Sequence, residues 1–274
     1  MDFIQKLIDL IKENTGTTSD AIAWAMLIVG ALIIVFALIG VFISIVLFFK
    51  YHKLNKTKNS CHLTGLDAAR KILDNHGLQN IKVKATGSLI WGNSYSHVFK
   101  KVRLRRFTYK KDSVTSLAMA AQKSSLAILD KEKDPVMKAR NVLIPLQILG
   151  PLMFLPLVLV GVGIDIAIAY FSKTNPNYIM TFVFAGIGVL FYAVSFALTV
   201  VILKAETKAQ AKSIEILRKD HLANESEIEA IKGLYKVYNL EYVNNMILAF
   251  LELLLRVLQI VAAIQGNTST SSDS

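Results

Sequence analysis

Long charge-free stretches alternate with segments whose apolar positions recur every two or every three to four residues. Residues 21–49 hold no charged side chain and are bounded by Asp20 and Lys50. Roughly 20 apolar helical residues cross a hydrocarbon core, so this stretch predicts a membrane-spanning helix with length to spare for tilt. It starts late, runs long and follows Asp2, Asp9, Glu13 and Asp20, which fits a retained helix and not a cleaved leader. A second stretch, 142–171, is interrupted by Pro145, Pro151 and Pro156 and carries Asp165. Prolines are tolerated in membrane helices where neighbours satisfy the freed carbonyls. A third stretch, 178–203, is uncharged. The fourth, 243–264, carries Glu252 and Arg256 at helical i,i+4 spacing, so they are expected to pair on one face of a helix that spans the bilayer or lies at its interface.

The segments between these stretches read differently. In residues 1–20, Phe3, Ile4, Leu7, Ile8, Leu10 and Ile11 fall on one side and Asp2, Lys6, Asp9 and Glu13 mostly on the other. That is an amphipathic helix suited to a membrane surface or a partner. Within 50–141, Leu66 to Asn75 has helical spacing, with Thr64 as N-cap, Asp67 at the capping-box position and Gly77 as a stop. Ile81-Lys82-Val83-Lys84 and Val102-Arg103-Leu104-Arg105 alternate as half-buried strands. A helix then opens at Asp112 or Ser113 and runs to about Leu129, with Leu117, Ala120, Ala121 and Ile128 as packing positions. In 204–242, Thr207 to Leu222 continues the third span, and Ser226 with Glu229 forms a capping box for the next helix. The polar run 265–274 is expected to be a disordered tail. The fold class is mainly α: a polytopic membrane protein with about four transmembrane helices and a small α+β extramembrane region.

Charge refines this picture. The chain of 274 residues is 53% hydrophobic and carries a formal net charge of +11. Residues 50–141 hold 20 Lys/Arg against 6 Asp/Glu, which by the positive-inside rule puts this segment in the cytoplasm of a multi-pass cell-membrane protein. Four spans then place both termini outside and 204–242 inside. Lys100, Lys101, Arg103, Arg105 and Arg106, with Phe99, Phe107 and Tyr109 among them, form the most basic run. Nucleic-acid binding is one reading of such a run. A face drawn to anionic lipid headgroups or to a protein partner is favoured beside membrane spans, so nucleic acid is disfavoured as a partner. The single cysteine, Cys61, excludes an intrachain disulfide.

Candidate chemistry is sparse. Asp165 reads either as a carboxylate on an ion path or as a residue near the interface beside the polar turn Ser172-Lys173-Thr174-Asn175-Pro176-Asn177. No two of His52, His62, His76, His97 and His221 share a helix face at i,i+4, and adjacent Cys61 and His62 make a poor chelate. There is no Walker-type phosphate loop and no G-x-S-x-G elbow.

The order of short blocks nevertheless resembles a known family over roughly residues 20–264. Leu63-Thr64-Gly65-Leu66-Asp67-Ala68-Ala69-Arg70-Lys71-Ile72-Leu73-Asp74-Asn75-His76-Gly77-Leu78 is similar to the LTG-x-E-x-A-R-x-I-L-x-x-N-G-L opening of the YugP-type membrane neutral zinc metallopeptidases. Lys138-Ala139-Arg140 ahead of Leu143-Ile144-Pro145 resembles the lead into that family's second span. Leu203 to Leu217, Glu229-Ala230-Ile231-Lys232 and Glu241-Tyr242-Val243 resemble its final third. The family's chemistry depends on an HExxH helix, whose two His bind zinc and whose Glu polarises the bound water. The matching helix here reads Ala120-Ala121-Gln122-Lys123-Ser124-Ser125-Leu126-Ala127, with Gln122 and Leu126 at the ligand positions and Lys123 at the general-base position. Downstream, Glu206 keeps the third-ligand position, whereas Lys208 replaces an aspartate. Asn93-Ser94-Tyr95-Ser96 stands where the family has a D-H-Y-D-like motif.

The resemblance thus implies a divergent, catalytically inactive relative, with no catalytic or metal-binding residue and no cofactor, where active relatives carry zinc. It would serve as a scaffold, a regulator or a partner-binding subunit in contact with the bilayer and with a protein partner or a second copy. Two alternatives are an active metallopeptidase with unrecognised ligands, and a small channel or transporter component resting on Asp165 and the Glu252/Arg256 pair.

Overall fold

The computed structural model describes residues 2–87, 92–144, 149–174 and 178–272. Pro145 and Asn175-Pro176-Asn177 lie outside them. In chain order the elements are α1 (Asp2–Thr15), α2 (Asp20–Lys56), α3 (Gly65–Asn75), β1 (Lys82–Thr86), β2 (Ser94–Ser96), β3 (Lys101–Arg105), α4 (Arg106–Lys110), α5 (Val114–Lys131), α6 (Pro135–Leu143), α7 (Leu149–Ser172), α8 (Ile179–Lys219) and α9 (Glu225–Ser272). They divide into two compact units. One comprises Met1–Gly40, Pro145–Thr199 and Asn244–Ser274; the other comprises Val41–Ile144 and Val200–Val243.

The first unit contains the apolar parts of four helices long enough to cross a membrane, Asp20–Lys56, Leu152–Ser172, Ile179–Lys219 and Glu225–Gly266. Large apolar side chains point outward along them, among them Ile34 at 63% and Leu38 at 66% exposure. Each would cost about 1.5–3 kcal/mol in water relative to burial, so the solvent these helices suit is lipid. Helices α7 and α8 approach closely. A Cβ on Gly161 would fall 2.6 Å from Thr181 Cα, and one on Gly188 would fall 2.7 Å from Phe154. Phe154 meets Tyr192 edge to face at 5.7 Å. On α1, Ile8 is buried while Phe3, Ile4 and Leu10 are exposed, so part of its apolar side is uncovered among the described residues.

Asp165 proves to be a helix cap supplied from a neighbouring element. It is 1% exposed and accepts from Met180 N–H at 3.0 Å, Thr181 N–H at 2.7 Å and the Thr181 hydroxyl at 2.7 Å. The first turn of α8 has no intrahelical acceptors for its N–H groups, and an anion there also complements the helix dipole. The expected Glu252/Arg256 pair does not form. Arg256 bonds Gln259 at 2.9 Å and lies over the Phe154 ring at 5.1 Å, while Glu252 is exposed. Correct spacing allows the pair, but the aromatic face and an amide one turn away compete for the guanidinium.

The second unit is built around α5, which is buried from Val114 to Leu129 on every side. Sequence spacing pointed to one apolar face; small Ala and Ser residues let neighbours close over the others. Ser113 caps the helix by accepting from Ser116 N–H. The sheet has the order β1-β3-β2. β1 and β3 are parallel, with Lys82 opposite Lys101 and Lys84 opposite Arg103. The short β2, which the sequence did not signal, pairs antiparallel with β3 through Tyr95 and Val102. Val102 and Leu104 are fully buried, so Lys101, Arg103 and Arg105 take the opposite face by strand alternation.

Helix α3 carries the expected Thr64/Asp67 capping box and stops before Gly77, whose φ is +65°. The box that opens α9 lies earlier than expected. Asn224 Oδ1 accepts from Glu227 N–H at 2.9 Å, and Glu227 accepts from Asn224 N–H at 2.9 Å. Glu227 also receives the Ser60 N–H and hydroxyl, each at 2.6 Å, whereas Glu229 pairs with Lys232. The third and fourth spans are not separate from the segments beside them, since α8 and α9 run through without a break. Helix α9 continues to Ser272, so the polar run expected as a disordered tail is helical up to that residue. Extending an existing helix fixes one residue per added hydrogen bond, which costs less than starting a new one.

Replacing Asp165 by Ala strips the first turn of α8 of its acceptor and is expected to cost about 1–3 kcal/mol. The change should appear as a lower unfolding midpoint in mild detergent, with a smaller loss for Asp165→Asn. An unchanged midpoint for the Ala variant would mean that other groups satisfy this turn.

Candidate functional site

The middle turns of α5 bring Gln122 and Lys123 to the face that meets α8. Glu206 lies on α8 past the charge-free stretch that ends at Leu203, and it is 4% exposed. Its Oε2 accepts from Gln122 Nε2 at 2.9 Å and from Lys123 Nζ at 2.7 Å. Its Oε1 accepts from Arg140 Nη2 of α6 at 3.3 Å. All four side chains are buried. Burial alone would raise the Glu206 carboxyl; the charges of Lys123 and Arg140, with their hydrogen bonds, outweigh it and hold the group below the usual carboxylate range. Leu126, one turn on from Gln122, is fully buried in the apolar core.

Helix α6 is set in place by its own start. Asp134 accepts from Val136 N–H at 3.0 Å and Met137 N–H at 3.1 Å, with Pro135 at the first helical position. The same carboxylate is ion-paired with Lys208 of α8. Burial works against its charge, but the Lys208 bond and the two cap donors prevail and lower its pKa. Lys208, at the position where the resemblance has an aspartate, thus anchors α6 beside Glu206. The sequence marks Arg140 only within the Lys138-Ala139-Arg140 block and gives it no site role. Nothing local in the sequence assigns it one: Met137 and Arg140 are three apart on one helix face, and it is the fold that buries both.

A second polar cluster surrounds Asp130 near the end of α5. Its Oδ2 accepts from the Tyr95 hydroxyl at 2.6 Å and bonds His97 Nδ1 at 2.6 Å, and its Oδ1 accepts from Asn141 at 2.8 Å. Burial, and then the Asp130 hydrogen bond, push the Tyr95 phenol well up. Asn93 Oδ1 accepts from Arg105 N–H at 2.8 Å. Residues of the Asn93 to Ser96 stretch therefore fix the sheet edge and the end of α5. No described hydroxyl or thiol is hydrogen-bonded to the other His97 nitrogen.

A groove of about 580 Å³ runs between α8 and α9, with Gln210, Ile214, Tyr235, Lys236, Asn239 and Leu240 among its walls. Its lining contains no carboxylate, imidazole or thiol. The basic residues selected from sequence lie elsewhere, on β3 and its flanks: Lys100 precedes the strand, Lys101, Arg103 and Arg105 belong to it, and Arg106 opens α4.

The side chains around Glu206 do not fit a zinc ion. Zinc takes lone pairs from Cys, His or carboxylate, whereas Lys123 and Arg140 bring protons and positive charge, and Leu126 brings neither. Among the described residues, no three His, Cys, Asp or Glu side chains stand close enough to share a metal ion. What the cluster does chemically is neutralise one buried carboxylate while joining α5, α6 and α8. Replacing Glu206 by Ala leaves two buried cations unmatched and is expected to cost about 3–5 kcal/mol. Denaturant unfolding of the detergent-purified variant reads this directly, and a wild-type midpoint would show that the ion cluster does not hold these helices.

The sequence profile of the family described as "Putative neutral zinc metallopeptidase" matches residues 28–262. The protein described as "Putative membrane protease YugP" of Bacillus subtilis (strain 168) is 22% identical over 208 residues, which is 74% of this chain and 84% of that protein. No solved structure matches. With a match that takes in α3, the sheet, α5, α6 and α8 as well as the four apolar helices, the chain belongs to the neutral zinc metallopeptidase family.

Proposed function

We propose that this membrane-embedded member of the family is not a peptidase and works as a scaffold, a regulator or a partner-binding subunit. The observation that carries this reading is the buried set of contacts from Lys123 and Arg140 to Glu206 at 2.7 and 3.3 Å. The carboxylate at the third-ligand position is already neutralised by protein cations, and the other ligand positions hold an amide and an isobutyl group. A peptidase reading with other ligands would need a set of donors elsewhere. A channel reading finds little support in Asp165, whose two oxygens are taken up by the first turn of α8.

The test is metal content, measured by mass spectrometry on protein purified in mild detergent without chelators. Less than about a tenth of an equivalent of zinc is expected, since tight structural sites use four good ligands. The triple variant Gln122→His, Lys123→Glu, Leu126→His rebuilds the motif but leaves Arg140 on Glu206. It should gain little zinc until Arg140→Leu is added. Stoichiometric zinc in the unmodified protein would overturn the reading, and a folded quadruple variant with no zinc would place Glu206 outside the ancestral ligand set.

The charge asymmetry of 20 Lys/Arg against 6 Asp/Glu in residues 50–141 supports a cytoplasmic side for this segment. Cys61 reports on it, being the only cysteine and partly exposed. A membrane-impermeant maleimide should leave intact cells unlabelled and react with Cys61 only after permeabilisation. Labelling of intact cells would reverse the topology.

A further inference from the structure

The outward face of the sheet concentrates cations to a degree that the strand sequence alone does not reveal. β1 and β3 lie parallel in a register that sets Lys82 beside Lys101 and Lys84 beside Arg103. Side chains of register partners lie on the same side of a sheet, so four cations share one patch, with Arg105 next along the strand. Lys100 and Arg106 flank it. Among the described residues none of these seven is ion-paired with a carboxylate. Partial burial, and then the charges of Arg103 and Lys84, lower the Lys101 pKa, as expected where like charges crowd without an anion.

Beside this patch, the connection from β2 to β3 exposes Val98 at 78% and Phe99 at 63%. Lys101 Nζ stands 4.4 Å from the Phe99 ring centroid and Arg103 Cζ 5.9 Å. An exposed apolar tip ringed by unpaired cations matches two features of a charged bilayer surface, a layer of phosphates and an apolar region just beneath it. A nucleic acid would satisfy the charges but would leave Val98 in water.

We propose that the β1/β3 face and the Val98-Phe99 tip form a docking surface for anionic phospholipid headgroups. The lysines and arginines bind phosphate oxygens, and the tip enters the interface. This is independent of whether the Glu206 cluster binds metal, because none of its residues takes part. Each cation near such a surface is worth roughly a five-fold change in association, and the attraction weakens as salt shortens the Debye length.

The experiment uses the full chain with Cys61→Ser and Val98→Cys, labelled with an environment-sensitive fluorophore and reconstituted into nanodiscs. Phosphatidylcholine discs are compared with discs containing increasing phosphatidylglycerol. The label emission should shift to the blue with phosphatidylglycerol content and return at high salt. Lys101→Gln with Arg103→Gln should raise the phosphatidylglycerol content needed or abolish the shift, at an unchanged unfolding midpoint. Lys219→Gln with Lys236→Gln removes the same net charge from α8 and α9 and should leave the shift intact. The proposal fails if no shift occurs at any phosphatidylglycerol content, if neutral discs give the same shift, or if the control pair abolishes it equally. It fails too if a single-stranded oligonucleotide, and not lipid, produces the change.

Discussion

A carboxylate enclosed in an apolar core has to be matched by positive charge, and the extramembrane unit is arranged around that requirement. Glu206 on α8 receives Gln122 and Lys123 from α5 and Arg140 from α6. Desolvating an ion costs several kcal/mol even after relaxation, and attraction offsets this only where the geometry is good and the remaining lone pairs are occupied. Three helices are therefore positioned by one side chain. The nine residues of α6 are too few to hold a helix unaided. Its Asp134 cap, the Asp134–Lys208 ion pair and the Arg140 contact keep it in place.

The same requirement connects substitutions that look unrelated in the sequence. If the ancestral helix carried zinc at these positions, the metal balanced the charge at Glu206. Once imidazole ligands are absent, a retained glutamate needs a cation from the protein, and an ammonium at Lys123 reaches it from the adjacent helix at 2.7 Å. Leu126 is a side chain that an apolar core accepts without hydrogen bonds. The Lys123–Glu206 ion pair ties α5 to α8 through protein charges, so on the proposed reading the fold does not depend on a metal.

What the sequence revealed divides by the range of the interactions involved. Thr64, Asp67 and Gly77 mark both ends of α3 because capping is decided within a few residues. The charge-free spans are legible because hydrocarbon admits no unpaired polar backbone and few charges. The α9 start was misplaced by two residues: Asn224 and Ser226 are both good caps, and the contact from Ser60 to Glu227 decides between them from far along the chain. β2 was missed because three residues, two of them serines, show no periodicity. Gln122, Lys123 and Glu206 were selected from a family pattern, and they do meet in space. Arg140 was missed because nothing local requires an arginine at that point; its partner becomes apparent only when α6 is folded against α8.

For Glu206 to serve a metal in this chain, Lys123 and Arg140 would both have to leave it. Each would then be a buried cation without a counterion, and breaking a buried pair in this way costs about 3–5 kcal/mol. Whole domains have only about 5–15 kcal/mol of stability. Structural zinc sites return about 10–16 kcal/mol, but with four deprotonated ligands. One carboxylate beside an amide and a leucine supplies a small part of that. The balance of these terms lies with the ion cluster, so metal binding at this position requires changes to the cations as well as to the ligands.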